Sequence, residues 1–160
     1  MSNYKDKIFG EEWSNWVDPE VPEYFNPTTV VLDKHLETNE ASSIALIVDD
    51  ESYTYEQFLH QVCRAANGLK ALNIDSGSRI LLFATDSLEF LSFWFGAIRA
   101  GIIPVVVSDA YKASNLLYFF NDTAAKTFVI DVEQTAKLDE NSDDIPYTLE
   151  TLSSAALTSG

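Results

Sequence analysis

The stretch Ser76–Ser108, reading SGSRILLFATDSLEFLSFWFGAIRAGIIPVVVS, admits few folds. Arg79–Ala84 is an apolar run too short for a helix. Ser76-Gly77-Ser78 and Thr85-Asp86-Ser87 bound it, which marks a buried strand. Asp86 or Ser87 then offers a side-chain oxygen to cap a helix. That helix, over Ser87–Ala100, carries Leu88, Phe90, Leu91, Phe93, Trp94, Phe95 and Ile98. It is apolar nearly all round and must be covered on more than one side. Gly101 stands where a left-handed stop is expected. Pro104 opens a second apolar run to Val107, at a strand position where a missing N–H does least harm. Two buried strands joined by a helix imply a parallel pair with a right-handed crossover.

The flanking segments extend the same pattern. Thr54-x-x-Gln57 is a capping box, in which hydroxyl and amide side chains satisfy each other's backbone N–H. It starts a helix from Tyr55 to about Leu72, with Phe58, Leu59, Val62, Ala65, Ala66, Leu69 and Leu72 on one face. Asn73 takes the left-handed stop. Before it, Ile44–Val48 and Ser52–Tyr55 read as a hairpin turning at Asp49-Asp50-Glu51. Thr29–Glu37 reads as a short helix with Val30, Val31, Leu32 and Leu36 inward. After the central unit come a helix over Ser114–Thr123, a buried strand over Lys126–Asp131 and a short helix over Glu133–Glu140. The fold class is α/β: a three-layer, partly parallel sheet with crossover helices. Residues 1–28 read as an extended arm rich in aromatics and proline. Residues 29–140 form the α/β subdomain, and 141–160 an acidic, weakly structured tail.

Charge limits the partners. With 25 acidic against 10 basic residues, the net charge of -15 repels phosphate backbones and argues against nucleic acid. The single cysteine, Cys63, cannot form a disulfide within the chain. There is no secretory leader pattern at the N-terminus and no apolar run of membrane-spanning length, so a cytoplasmic protein is expected.

Few residues suggest chemistry of their own. None of the six glycines builds a dinucleotide or Walker phosphate loop. His60 and Cys63 are neighbours on a helix, but two ligands do not make a zinc site. No segment offers Cys63 an activating base, and His35 stands apart. The acidic groups Asp49-Asp50-Glu51 and Asp143-Asp144 fall in turns. Asp86 lies at a carboxyl edge of the sheet, where open α/β sheets bind ligands, but its expected role is the helix cap. These residues describe an acidic α/β domain without a catalytic constellation.

The order of segments resembles the N-terminal part of the adenylate-forming acyl- and aryl-CoA ligases. Thr54-Tyr55-Glu56-Gln57-Phe58 resembles that family's Thr-Tyr-x-Glu-Leu motif. Asn73-Ile74-Asp75-Ser76-Gly77-Ser78-Arg79-Ile80 resembles its Gly-Val-x-x-Gly-Asp-x-Val turn. Phe95-Gly96-Ala97-Ile98-Arg99-Ala100-Gly101-Ile102-Ile103-Pro104-Val105 resembles its Leu-Gly-x-x-x-Ala-Gly-x-x-Pro-Val segment. Val21-Pro22-Glu23-Tyr24-Phe25-Asn26, with Val31-Leu32-Asp33, is similar to the entry of benzoate and medium-chain acyl-CoA ligases.

The resemblance implies an N-terminal fragment of an ATP-dependent carboxylate–CoA ligase. ATP, Mg²⁺ and CoA serve the parent enzyme, and no cofactor is bound by this chain. The family's phosphate loop and catalytic lysine lie further along than Gly160, although Thr158-Ser159-Gly160 echoes the loop's first letters. The resemblance therefore assigns no catalytic, cofactor-binding or metal residue to this chain, which is expected to be inactive alone. A stand-alone interaction module and a flavodoxin-like binding domain are the alternatives. In the family the hairpin and first helix pack partly against later sequence. Without it Phe58, Leu59, Val62 and Leu69 would lack cover, so self-association through that face, or pairing with the remainder of the ligase, is expected.

Overall fold

The computed structural model describes residues 24–132, 134–135 and 149–152. The chain enters through a helix, α1, that is π-wound over Thr29–Asp33 and α-wound over Lys34–Glu37. A hairpin follows, β1 (Ile44–Val48) antiparallel to β2 (Glu51–Thr54). Val48 pairs with Glu51, so the turn is the two residues Asp49-Asp50, both at positive φ (50° and 65°). That places them in the mirror-image turn whose twist matches a hairpin. The capping box closes as expected: Gln57 N–H donates to Thr54 Oγ1 at 3.2 Å, and Thr54 N–H to Gln57 Oε1 at 2.9 Å. It starts α2 (Tyr55–Ala71), and Asn73 then turns left-handed at φ 57°.

The centre is β3 (Arg79–Phe83), α3 (Leu88–Arg99), β4 (Ile103–Val106), α4 (Ala113–Thr123) and β5 (Phe128–Asp131). The sheet order is β4-β3-β5-β6, with every pair parallel, where β6 is Leu149–Leu152. Successive residues of β3 face opposite layers. Ile80, Leu82 and Ala84 pack with Val129 against Ala65, Leu69, Phe90, Phe93 and Ala97 of α2 and α3. Leu81 and Phe83 pack with Phe128 and Ile130 against Leu116 and Phe120 of α4. The expected three layers are therefore present. The hairpin and α1 add cover outside the α2–α3 layer, where Leu32 meets Phe58, Leu59 and Val62 beside Leu88, Leu91 and Phe95. This is why α3 tolerates apolar residues on several sides.

Two glycines are set by space and dihedral. At Gly96 a Cβ would stand 2.8 Å from Ala65 Cβ and 2.9 Å from the Ala66 backbone nitrogen, so α2 and α3 touch there backbone to backbone. Gly101 has φ +75°, the left-handed stop, and a Cβ there would overlap Ser76 Oγ. Its carbonyl accepts from Gly77 N–H at 2.8 Å, which ties the end of α3 to the turn before β3. At the sheet's β4 edge, Ile103 N–H donates to Ser78 O and Val107 N–H to Leu82 O. By alternation Pro104 and Val106 face outward, and Pro104 has no N–H to offer.

Several expectations change. Ser87, not Asp86, caps α3, its hydroxyl accepting from Phe90 N–H at 3.0 Å. In α1 only Leu32 is buried; Val30, Val31 and Leu36 are exposed, because α1 meets the core through Leu32, which packs on Phe58, Leu59 and Val62 of α2. Residues assigned to the arm belong to the folded unit: Thr28 is fully buried, and Asn26 Nδ2 donates to Ile98 O and Arg99 O at the end of α3. Tyr24 and Phe25 are exposed. The expected tail contains β6; Asp143-Asp144, Thr158-Ser159-Gly160 and most of Glu133–Glu140 lie outside the described residues, as do Trp13 and Trp16. Phe58, Leu59, Val62 and Leu69 are buried, so the cover expected to be missing is supplied within the chain. Apolar exposure in this region falls instead on Ile44 and Ile47 of the hairpin and on Leu72, expected on the inner face but standing just past the end of α2. No described helix is long and apolar enough to cross a membrane.

Candidate functional site

Parallel strands that all point one way gather their following loops at one edge. A cleft of about 310 Å³ opens there, between the ends of β3 and β4. Its floor is apolar, from Ala84, Phe90 and Val107, and its rim polar, from Thr85, Asp86, Ser108 and Asp109. Among the described residues no lysine or arginine lines it. Since Ser87 does the capping, Asp86 is left exposed on this rim. Next to it, Asp131 ends β5. Its Oδ2 accepts from Thr85 N–H at 2.7 Å and its Oδ1 from Gln134 N–H at 2.8 Å. Both oxygens thus have amide partners. Gln134 Nε2 donates to Thr85 Oγ1 at 3.3 Å, while its Oε1 is buried without a partner. A larger depression of about 400 Å³, lined by Asn73, Asp75, Ser78, Lys126 and Thr127 among others, sits at the opposite, amino edge. Open α/β sheets place chemistry at the carboxyl edge, so the smaller cleft is the functional candidate.

The other residues singled out by sequence do not converge on it. His35 Nδ1 meets Glu40 Oε2 at 2.6 Å, and the ring stacks on Tyr55 at 3.9 Å. His60 is exposed and Cys63 half-buried. The group facing Cys63 is the Arg99 guanidinium, a cation and not a base. Among the described residues no three His, Cys, Asp or Glu side chains are grouped to hold a metal. Glu51 accepts from the exposed Tyr53 hydroxyl at 2.6 Å, which pushes the phenol pKa up.

Sequence reasoning missed a bidentate ion pair. Arg99 donates to Asp33 through both Nη1 (2.7 Å) and Nη2 (2.9 Å). This fork holds the Asp33 carboxyl below its ordinary range and raises Arg99. The pair joins α1 to the end of α3 and has a structural, not a chemical, part to play. No local pattern announces it, because its members are 66 positions apart.

An acidic carboxyl edge on a sheet of this order can be compared with known proteins. The family model described as "AMP-binding enzyme" matches residues 32–158. The chain belongs to the AMP-binding enzyme family. It is 26% identical over 114 residues to a benzoate–CoA ligase of Thauera aromatica, covering 71% of this chain and 22% of that protein. A 4-hydroxybenzoate–CoA/benzoate–CoA ligase of Rhodopseudomonas palustris is 26% identical over 123 residues, covering 77% and 23%. This family member therefore spans less than a quarter of the length of those relatives. Among solved structures, an anthranilate CoA ligase in complex with anthranoyl-AMP superposes with a TM-score of 0.76 at 23% identity, over 86% of this chain and 28% of that one. A benzoate CoA ligase from Burkholderia xenovorans gives 0.76 at 20% identity, over 86% and 29%. The fold is that of the N-terminal subdomain of adenylate-forming ligases, as the sequence motifs implied.

Proposed function

We propose that this chain is the N-terminal piece of an ATP-dependent carboxylate–CoA ligase, acting on an aromatic acid, and that it does no chemistry alone. In the reaction, a carboxylate oxygen attacks the α-phosphorus of ATP, releasing pyrophosphate and leaving an acyl-adenylate. The CoA thiol then attacks the acyl carbon, the thiol proton is lost and AMP departs. The observation that carries the reading is the family match over residues 32–158. The aromatic substrate class is supported by two of the relatives, both of them benzoate–CoA ligases.

Inactivity of the chain alone is supported by the chemistry of its carboxyl edge. Transfer at phosphorus depends on positive charge aimed at the phosphate oxygens. The cleft rim instead presents Asp86 and Asp109, with Asp131 behind them. Those residues do not fit a triphosphate, and Asp131, engaged by two amides, does not fit Mg²⁺. Phosphate and metal contacts are therefore assigned to other parts of the enzyme.

Carboxylate-dependent exchange between labelled pyrophosphate and ATP tests both statements. The purified 160-residue chain is expected to stay at background with benzoate, 2-aminobenzoate and acetate. The product of the whole reading frame containing it is expected to exchange with benzoate or 2-aminobenzoate. Exchange by the short chain would overturn its inactivity. A reading frame that stops at Gly160, or a longer product responding to none of these acids, would overturn the aromatic-acid ligase.

A further inference from the structure

The strand order β4-β3-β5-β6 reverses between β3 and β5: the chain runs outward from β3 to β4, then returns past β3 to β5. Connections after β3 and β5 therefore flank the point where an open sheet leaves a crevice. At that point stands one carboxylate. Asp131 Oδ1 accepts from Gln134 N–H, three residues on, as an ordinary helix-start cap does. Its second oxygen accepts from Thr85 N–H, 46 positions away, on the connection after β3. Gln134 Nε2 reaches Thr85 Oγ1 and closes a ring.

We propose that Asp131 is the positioning residue of this crevice: one carboxylate, with one oxygen on each lip, sets the spacing of the two connections that leave β3 and β5. Two amide donors need two acceptor oxygens on one short side chain. Aspartate supplies both. Asparagine has one acceptor oxygen, and glutamate adds a rotatable bond that loosens the span. Charge strengthens both bonds, since hydrogen bonds to an ionised acceptor are the stronger kind. The ring remains incomplete at the buried Gln134 Oε1, so the lips are fixed by Asp131 rather than by a fully satisfied network. Asp86 and Asp109, on the connections after β3 and β4, are the other carboxylates described at this edge, and Lys112, at the start of α4, is a described cation on the connection after β4.

Amide proton shifts followed against pH by NMR test this in the 160-residue chain. Thr85 and Gln134 amides are expected to titrate with one shared midpoint, because a single carboxylate holds both. The shared titration should persist in Asp86→Asn and Asp109→Asn. It should vanish at both amides in Asp131→Asn, while the amides of Leu82 and Val129 stay in place. Hydrogen exchange at Thr85 should quicken at least tenfold in Asp131→Asn, with core exchange within about twofold of the parent. Separate midpoints, a titration of Thr85 that survives in Asp131→Asn, or one that disappears in Asp86→Asn would overturn the assignment.

Discussion

Replacing Gly96 by alanine should destabilise the protein although alanine is the better helix former. Intrinsic propensity alone favours the change by roughly 1 kcal/mol in a helix interior. Against this stands the α2–α3 contact. The new Cβ would lie 2.8 Å from Ala65 Cβ, 2.9 Å from Ala66 N and 3.1 Å from Val62 O. Two of those three neighbours are backbone atoms, which no rotamer change can remove, so the helices must separate. Overpacking of this kind costs about 1–3 kcal/mol and somewhat more where backbone has to move. The net expectation is a loss of about 1–2 kcal/mol. For a chain of this size that is a fall in Tm of very roughly 2–8 °C. Urea titration monitored by circular dichroism reads it as a lower midpoint at an unchanged slope. Adding Ala65→Gly to Gly96→Ala removes only the side-chain overlap, so the double-mutant cycle should show a favourable coupling without full recovery. A Gly96→Ala protein as stable as its parent, or more so, would refute the claim that the two helices meet at backbone distance.

Gly101→Ala should cost about 1–2 kcal/mol, because φ +75° is left-handed and a Cβ would overlap the neighbouring Ser76 Oγ; Ser76→Gly should relieve the overlap but not the dihedral, measured by the same titration. Thr54→Ala should cost about 1 kcal/mol through loss of the α2 cap, with a matching fall in the urea midpoint. For Asp33 the sign follows from its depressed pKa: the stabilisation is fully present above the unfolded carboxyl value near 3.9 and is lost as pH falls through the lower folded value. Thermal melts of the parent and Asp33→Asn should therefore differ by about 1 kcal/mol or less at pH 7, given the pair's partial exposure, and converge as pH falls through the lowered folded value. A constant gap across that range would show that Asp33 acts through packing rather than charge.

What could be read from sequence was local or periodic. The Thr54–Gln57 cap, the Asn73 and Gly101 stops and the apolar period of α2 each declare themselves within a few residues, and each is found in the structure. The apolar runs Ile80–Ala84 and Ile103–Val107 indicated the parallel pair, but only β3 is buried beyond Arg79; β4, at the sheet edge, leaves Ile103 and Val106 exposed. Residues that act at long separation left no such trace. Asn26 on the α3 carbonyls, Asp33 on Arg99 and Asp131 on Thr85 are partners 46 to 73 positions apart. A lone Asn or Asp reads the same in sequence whether or not a distant partner awaits it. Asp86 and Ser87 were both competent caps; Ser87 took the position at extended φ and ψ, and adjacency alone could not distinguish them. β6 was missed because Leu149–Leu152, with Glu150 and Thr151 in its middle, lacks the apolar run that marked the other strands.

Pro104 gives the sheet a preferred direction of growth. A strand arriving beside β4 would meet the carbonyls of Pro104 and Val106 but only one strand N–H, that of Val106. It would forgo one ladder bond, worth about 0.5–1.5 kcal/mol, in a strand of four residues. Among the described strands, the β4 margin is thus the poorer one to extend, and a single missing hydrogen on nitrogen makes it so.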